Sequence, residues 1–209
     1  LIARIAADSK YWLWINDQLV IFEGGLKRGP SPSGTYYDPV DIAPYLTKGS
    51  NTIAILLWHF GKDGFSHINS GKAALLFEAI APGLEIVSDA SWQCALYEAY
   101  QNTEAPFPNY RMPESNIRFD ARQAITNWNR TSFEGSLPGA VCVGKAGKAP
   151  FGELVERPIP QWKNSGLLSY VSVRESLRGD TLFCRLPYNA QITPYLKVEA
   201  EAGKPIHIR

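Results

Sequence analysis

The chain has 209 residues, 45% hydrophobic and 20% charged, with 21 Lys and Arg against 20 Asp and Glu for a net charge of +1. That length suits one large domain, or one domain and part of another, and the composition excludes a disordered tail. The balanced charge advertises neither a nucleic-acid binder nor a polybasic membrane surface, and the longest apolar stretches, such as 53–58, fall far short of the roughly 20 residues of a membrane-spanning helix.

The first third reads as strands. Residues 10–15, Lys-Tyr-Trp-Leu-Trp-Ile, are aromatic and β-branched, and 18–22 return after Asn16-Asp17. An Asx pair tolerates left-handed φ, so this is a hairpin by residue chemistry. Gly24, Gly25, Gly29, Pro30, Pro32 and Gly34 then mark a long loop, in which Lys27-Arg28 reads as solvated charge. Residues 36–42 are extended, 43–46 form a single helical turn, and 52–58 form a strand buried on both faces. A second Gly-rich loop, His59 to Gly71, precedes strands at 73–79, 84–87 and 92–96.

From Tyr97 to Ser115 the chain is polar and Pro-rich, an irregular excursion. A short strand is expected at 116–120, a short helix at 121–127 and loops across 134–150. Prolines hold 156–162 extended, and strand rhythm resumes at 181–185 and 194–200. Short strands with turn signals about every ten residues, and no apolar helix stripe over three turns, predict an all-β chain of sandwich type. The domain boundary is placed at 157/158. The three cysteines, Cys94, Cys142 and Cys184, are odd in number and lack C-x-x-C spacing, so they read as small buried hydrophobes. The sequon Asn129-Arg-Thr131 is of a kind common by chance.

Taken in order, these landmarks resemble the N-terminal β-domains of bacterial α-L-rhamnosidases, which are large multi-domain glycoside hydrolases. The carriers are Tyr11-Trp-Leu-Trp-Ile-Asn16; Tyr37-Asp38 with Val40-Asp41-Ile42, Leu46, Gly49, Asn51 and Ile53; Ser88-Asp89 with Ser91-Trp92; Phe119-Asp-Ala-Arg122; and Asn127-Trp128. Glu156-Arg-Pro-Ile159 is similar to the family's bridge into its next sandwich. Leu196 to Ala200, Gly203 and Ile206 to Arg209 are similar to that sandwich's opening strands. Asp17 departs from the pattern, standing where the family favours Gly after Asn, and Phe133 to Leu137 weaken an acidic pair. The resemblance implies a galactose-binding-like jelly-roll β-sandwich over 1–157, its first strands missing, then a linker and the start of a second β-sandwich over 158–209. It also implies that the helical (α/α)₆ barrel which carries catalysis is absent, so no catalytic residue transfers.

Inverting glycosidases need two carboxyl groups about 6.5–9.5 Å apart with a water between them. Asp38 and Asp41 are the nearest candidates, but three apart in a strand they project to opposite faces, and they read as structural hydrogen-bonding groups. Trp12 and Trp14 share one strand face, which is either core or, if exposed, a binding platform. No local signature assembles a Ser–His–Asp set, and Gly24-Gly25 precedes no helix, which excludes a phosphate loop.

The loop after the third clear strand concentrates histidine, acid, base and aromatic rings. Trp58, His59, Asp63, Phe65, His67 and Asn69 suit carbohydrate contact, since aromatic faces stack on sugar C–H groups while polar tips bond hydroxyls. The competing reading is a compact loop docking on a neighbouring domain. The two histidines and Asp63 follow no metal-ligand spacing, so no metal is assigned and no cofactor is expected; nothing in the sequence supports a structural calcium. The start at Leu1 and the alternating close at 204–209 lead us to expect a piece of a longer protein. Such a parent would act on a rhamnose-containing glycan or glycoside, pack this region on its barrel, and work in the periplasm or outside the cell. A carbohydrate-binding module of another glycan-degrading enzyme, or a plain interdomain spacer, are the alternatives.

Overall fold

The computed structural model describes residues 1–25, 29, 31–64, 67–102, 117–190, 192, 195–199, 201 and 203. In chain order the strands are β1 (Ile2–Asp8), β2 (Lys10–Ile15), β3 (Gln18–Gly25), β4 (Thr35–Asp41), β5 (Ile53–Trp58), β6 (Ala74–Ala81), β7 (Leu84–Val87), β8 (Tyr100–Asn102), β9 (Ile117–Phe119), β10 (Leu154–Glu156), β11 (Ser172–Glu175) and β12 (Leu182–Arg185). Single 3₁₀ turns at Ala43–Tyr45 and Ala121–Gln123 are the helical elements among the described residues. The chain is all-β, as the short-strand rhythm predicts.

It divides into two compact units, Leu1–Lys163 and Asn164–Arg209. The first holds a five-stranded sheet in the order β10-β4-β1-β6-β7 and a three-stranded sheet in the order β3-β2-β5. Alternation along each strand builds the core between them. Ala3, Ile5 and Ala7 of β1, Val40 of β4, and Phe77 and Ala79 of β6 meet Tyr11, Leu13 and Ile15 of β2 and Ile21 of β3. The other face of β1 is covered as well, because Ala6 packs with Ala74 and Phe151 in a smaller cluster. Strand β1 is thus the centre of the larger sheet, although its alanine-rich run carries little strand propensity in sequence.

The β2–β3 hairpin closes in two residues. Ile15 pairs with Gln18, and Asn16 and Asp17 both take positive φ, 48° and 68°. That is the backbone of a type I′ turn, so Asp17 fills a site usually given to glycine without lengthening the loop. Its carboxylate accepts from the Thr131 backbone N–H at 2.6 Å and hydroxyl at 3.0 Å, anchoring a segment over a hundred residues away.

Three expectations are corrected. Residues 92–96 form no strand; Gln93 makes a single bridge to Gly139. The three cysteines are free and exposed rather than buried. Strand β5 is part-exposed at every position but Ala54 rather than buried on both faces. Asp38, in its structural hydrogen-bonding role, is fully buried. It accepts from the Tyr11 hydroxyl and the Gly25 N–H, both at 2.9 Å, and lies 2.6 Å from the Arg157 Nε as an ion pair.

In the second unit, the antiparallel pair β11–β12 is the one sheet among the described residues. No described residue of 164–209 is buried. Residues 195–199 carry no strand, and the expected pattern at 204–209 lies outside the described residues, as do Lys27, Arg28 and 103–116.

Candidate functional site

The β1–β2 corner and the loop after β5 meet in a buried polar cluster that the sequence does not advertise. Asp8 and Ser9 are both fully buried. The Ser9 hydroxyl donates to Asp8 Oδ1 at 2.8 Å and accepts the Phe60 N–H at 3.1 Å. Asp8 Oδ2 accepts the Ser70 N–H at 2.7 Å. His67, 3% exposed, places Nε2 3.3 Å from Asp8 Oδ1 and 3.2 Å from Ser9 Oγ. Burial pushes the Asp8 carboxyl up, but hydrogen bonds from His67, Ser70 and Ser9 outweigh it and hold the group well below the ordinary carboxylate range.

Serine, histidine and aspartate have come together here, yet not as a nucleophilic set. A catalytic histidine takes the serine proton on one ring nitrogen while the acid holds the other. Here Asp8 and Ser9 meet the same nitrogen, and His67 Nδ1 is buried with no hydrogen-bond partner. The carboxylate only accepts, so Nε2 carries the hydrogen, and the serine proton goes to Asp8 instead. The cluster works as a latch that ties residues 60, 67 and 70 to the end of β1.

The six residues singled out for carbohydrate contact therefore part company. His67 is consumed by the latch. Asp63 accepts the Asn69 N–H at 2.7 Å, and the Asn69 side chain accepts the Gly71 N–H at 2.8 Å, so both hold the loop's own backbone. Phe65 lies outside the described residues. Trp58 and His59 remain part-exposed at the surface. Trp58 stands beside Trp12, ring centroids 6.3 Å apart and planes 18° from parallel, and Phe60 meets it edge-on at 5.4 Å. Trp14 is instead covered by Trp128, edge-on at 5.2 Å. Trp12 and Trp14 do share a face, but it is the outer one; the core takes Tyr11, Leu13 and Ile15.

Asp41 is tied to the Leu1 amino group at 3.4 Å and to the Ala43 N–H at 3.1 Å. Together with Asp38 it offers no pair of carboxyl groups facing across a cleft. Among the described residues no cluster of three or more His, Cys, Asp or Glu is arranged to hold a metal ion.

No family model and no curated protein matches the chain. Solved structures do. A GH78 family rhamnosidase of Bacillus sp. GL1 is 29% identical with a TM-score of 0.67, over 83% of this chain and 18% of that chain. An alpha-L-rhamnosidase from Dictyoglumus thermophilum, 20% identical with a TM-score of 0.56, is covered over 19% of its length by 83% of this chain and shares the fold. The chain thus spans less than a fifth of either enzyme, and the resemblance read from its motifs holds in three dimensions.

Proposed function

We propose that this chain is a non-catalytic β-sandwich region of an α-L-rhamnosidase-like glycoside hydrolase, with a galactose-binding-like jelly roll as its first unit. The observation that carries the reading is the match of most of this chain to less than a fifth of two rhamnosidases. The fate of the carboxylates supports the non-catalytic part: Asp8 and Asp38 are buried and bonded, and Asp41 accepts the Ala43 N–H at 3.1 Å. An inverting glycosidase needs two such groups free to face a water and a glycosidic oxygen.

The parent would cleave terminal α-linked L-rhamnose from glycans or glycosides outside the cytoplasm, using acid and base carboxylates of a helical barrel on which this region packs. The region supplies scaffold and part of the surface around that barrel. The test is an assay of L-rhamnose release from an aryl α-L-rhamnoside by the 209-residue chain and by a longer form containing the barrel. Release by the longer form alone is expected. Release by the short chain overturns the non-catalytic reading, and failure of a folded longer form overturns the family reading.

A further inference from the structure

The outer face of the three-stranded sheet carries a compact arrangement that neither the core nor the latch uses. Residues opposite one another in a ladder share a face. Lys10 pairs with Trp58 and Trp12 with Leu56, so all four lie on the side away from the core. Trp12 and Trp58 are half-buried, their indoles nearly parallel, with the Phe60 ring closing one end of the strip.

Two hydrogen-bond acceptors border this strip. Tyr11 pairs with Gly24 and Leu13 with Ile21, which leaves Phe22 and Glu23 together opposite Trp12 in a bulge. Glu23 sits at φ 58°, a left-handed conformation that a residue with a side chain seldom adopts. Bulges re-aim side chains, and this one brings the Glu23 carboxylate to 3.4 Å from Lys10 Nζ on the outer face. Lys10 Nζ also lies 5.9 Å from the centre of the Phe60 ring. His59, between Trp58 and Phe60 in the chain, places Nδ1 3.2 Å from the Asp8 carbonyl oxygen and 3.7 Å from its carboxylate. A carbonyl can only accept, so a ring hydrogen sits on Nδ1, and in the neutral ring Nε2 is left as an acceptor.

We infer that Trp12, Trp58 and Phe60, bordered by Glu23 and His59, form a binding surface for a neutral pyranose sugar. The apolar C–H face of the ring lies on the indoles, and its hydroxyls donate to the Glu23 carboxylate and to His59 Nε2. Both polar partners are acceptors and Lys10 is already matched by Glu23, so an acidic sugar is disfavoured. The choice of a sugar as occupant rests on the glycan-degrading reading above, but the site lies wholly within this chain and requires no hydrolysis.

The experiment titrates the 209-residue chain with methyl glycosides of L-rhamnose, D-galactose and D-glucose, and with methyl glucuronide as the acidic control. Tryptophan indole signals are followed by proton–nitrogen correlation spectra, with Trp12 and Trp58 assigned through W12F and W58F. Saturable shifts confined to those two indoles are expected with at least one neutral glycoside and not with the glucuronide. Trp12→Ala should weaken binding about tenfold, the scale of one aromatic stacking contact. Glu23→Gln leaves the aromatic packing intact and should weaken it several-fold, which keeps the test decisive if the tryptophan variant unfolds. No saturable shift with any neutral glycoside, shifts centred on other indoles, or tighter binding of the glucuronide each overturns the proposal. Absence of binding beside rhamnose release by the longer form would remove this site alone, and the converse would remove only the parent activity.

Discussion

At the scale of single residues, the first unit is organised by two buried aspartates with opposite duties. Asp38 joins β2, β3 and the chain after β10, since Tyr11, Gly25 and Arg157 all converge on it. Burial, then the Asp38 charge and hydrogen bond, push the Tyr11 hydroxyl well above its ordinary range, so it remains a donor at any ordinary pH. Asp8 fastens a loop to the end of the central strand β1. Its folded value lies below the unfolded 3.8, so the ionised group stabilises fully above about pH 4 and that contribution is lost as pH falls through the folded value. Asp8→Asn should therefore cost about 2–3 kcal/mol at neutral pH, where buried donors lose a charged acceptor. The gap to the parent should narrow below about pH 4. Thermal melts of both proteins from neutral pH down into that range measure it; an unchanged gap would show that Asp8 is not the acid-sensitive group.

At the scale of elements, the legible features were those fixed by local chemistry. Asn16-Asp17 between two aromatic and branched runs dictates a hairpin, and Ala43-Pro44-Tyr45 a single turn, because residues in contact there are close in sequence. The β1 strand was not legible: small side chains suffice where both faces are covered by other strands and loops, and that covering is a tertiary fact. The latch was hidden for the same reason, since Asp8 and His67 meet across 59 positions of chain. The bulge in β3 was likewise invisible, and the residue beside it is tightly constrained. A Cβ on Gly24 would overlap the buried Tyr11 ring, which Asp38 fixes in place. Gly24→Ala should consequently destabilise by about 1–3 kcal/mol through overpacking. Gly139→Ala, with no neighbour nearer than 3.8 Å, should stay within about 0.5 kcal/mol. Urea unfolding of the two variants side by side checks the contrast.

At the scale of the whole molecule, stability is unevenly distributed between the two units. The first buries a contiguous core between two sheets, and the described residues of the second bury nothing while leaving Val173, Leu182 and Phe183 each more than half exposed. A two-stranded hairpin without a covered face is marginal in water, because the backbone entropy it loses is not offset by apolar burial. Cooperative unfolding of this chain should then be that of residues 1–163 alone. A chain ending at Lys163 is expected to melt within a few degrees of the full 209 residues, with an equal urea m-value, because m follows the surface exposed on unfolding. Residues 164–209 expressed alone should give the far-UV signature of an unfolded peptide. A marked fall in melting temperature on truncation, or a cooperative transition in the isolated second unit, would mean that the apolar side chains of β11 and β12 find cover within this chain, and the second unit would have to be regarded as a folded body in its own right.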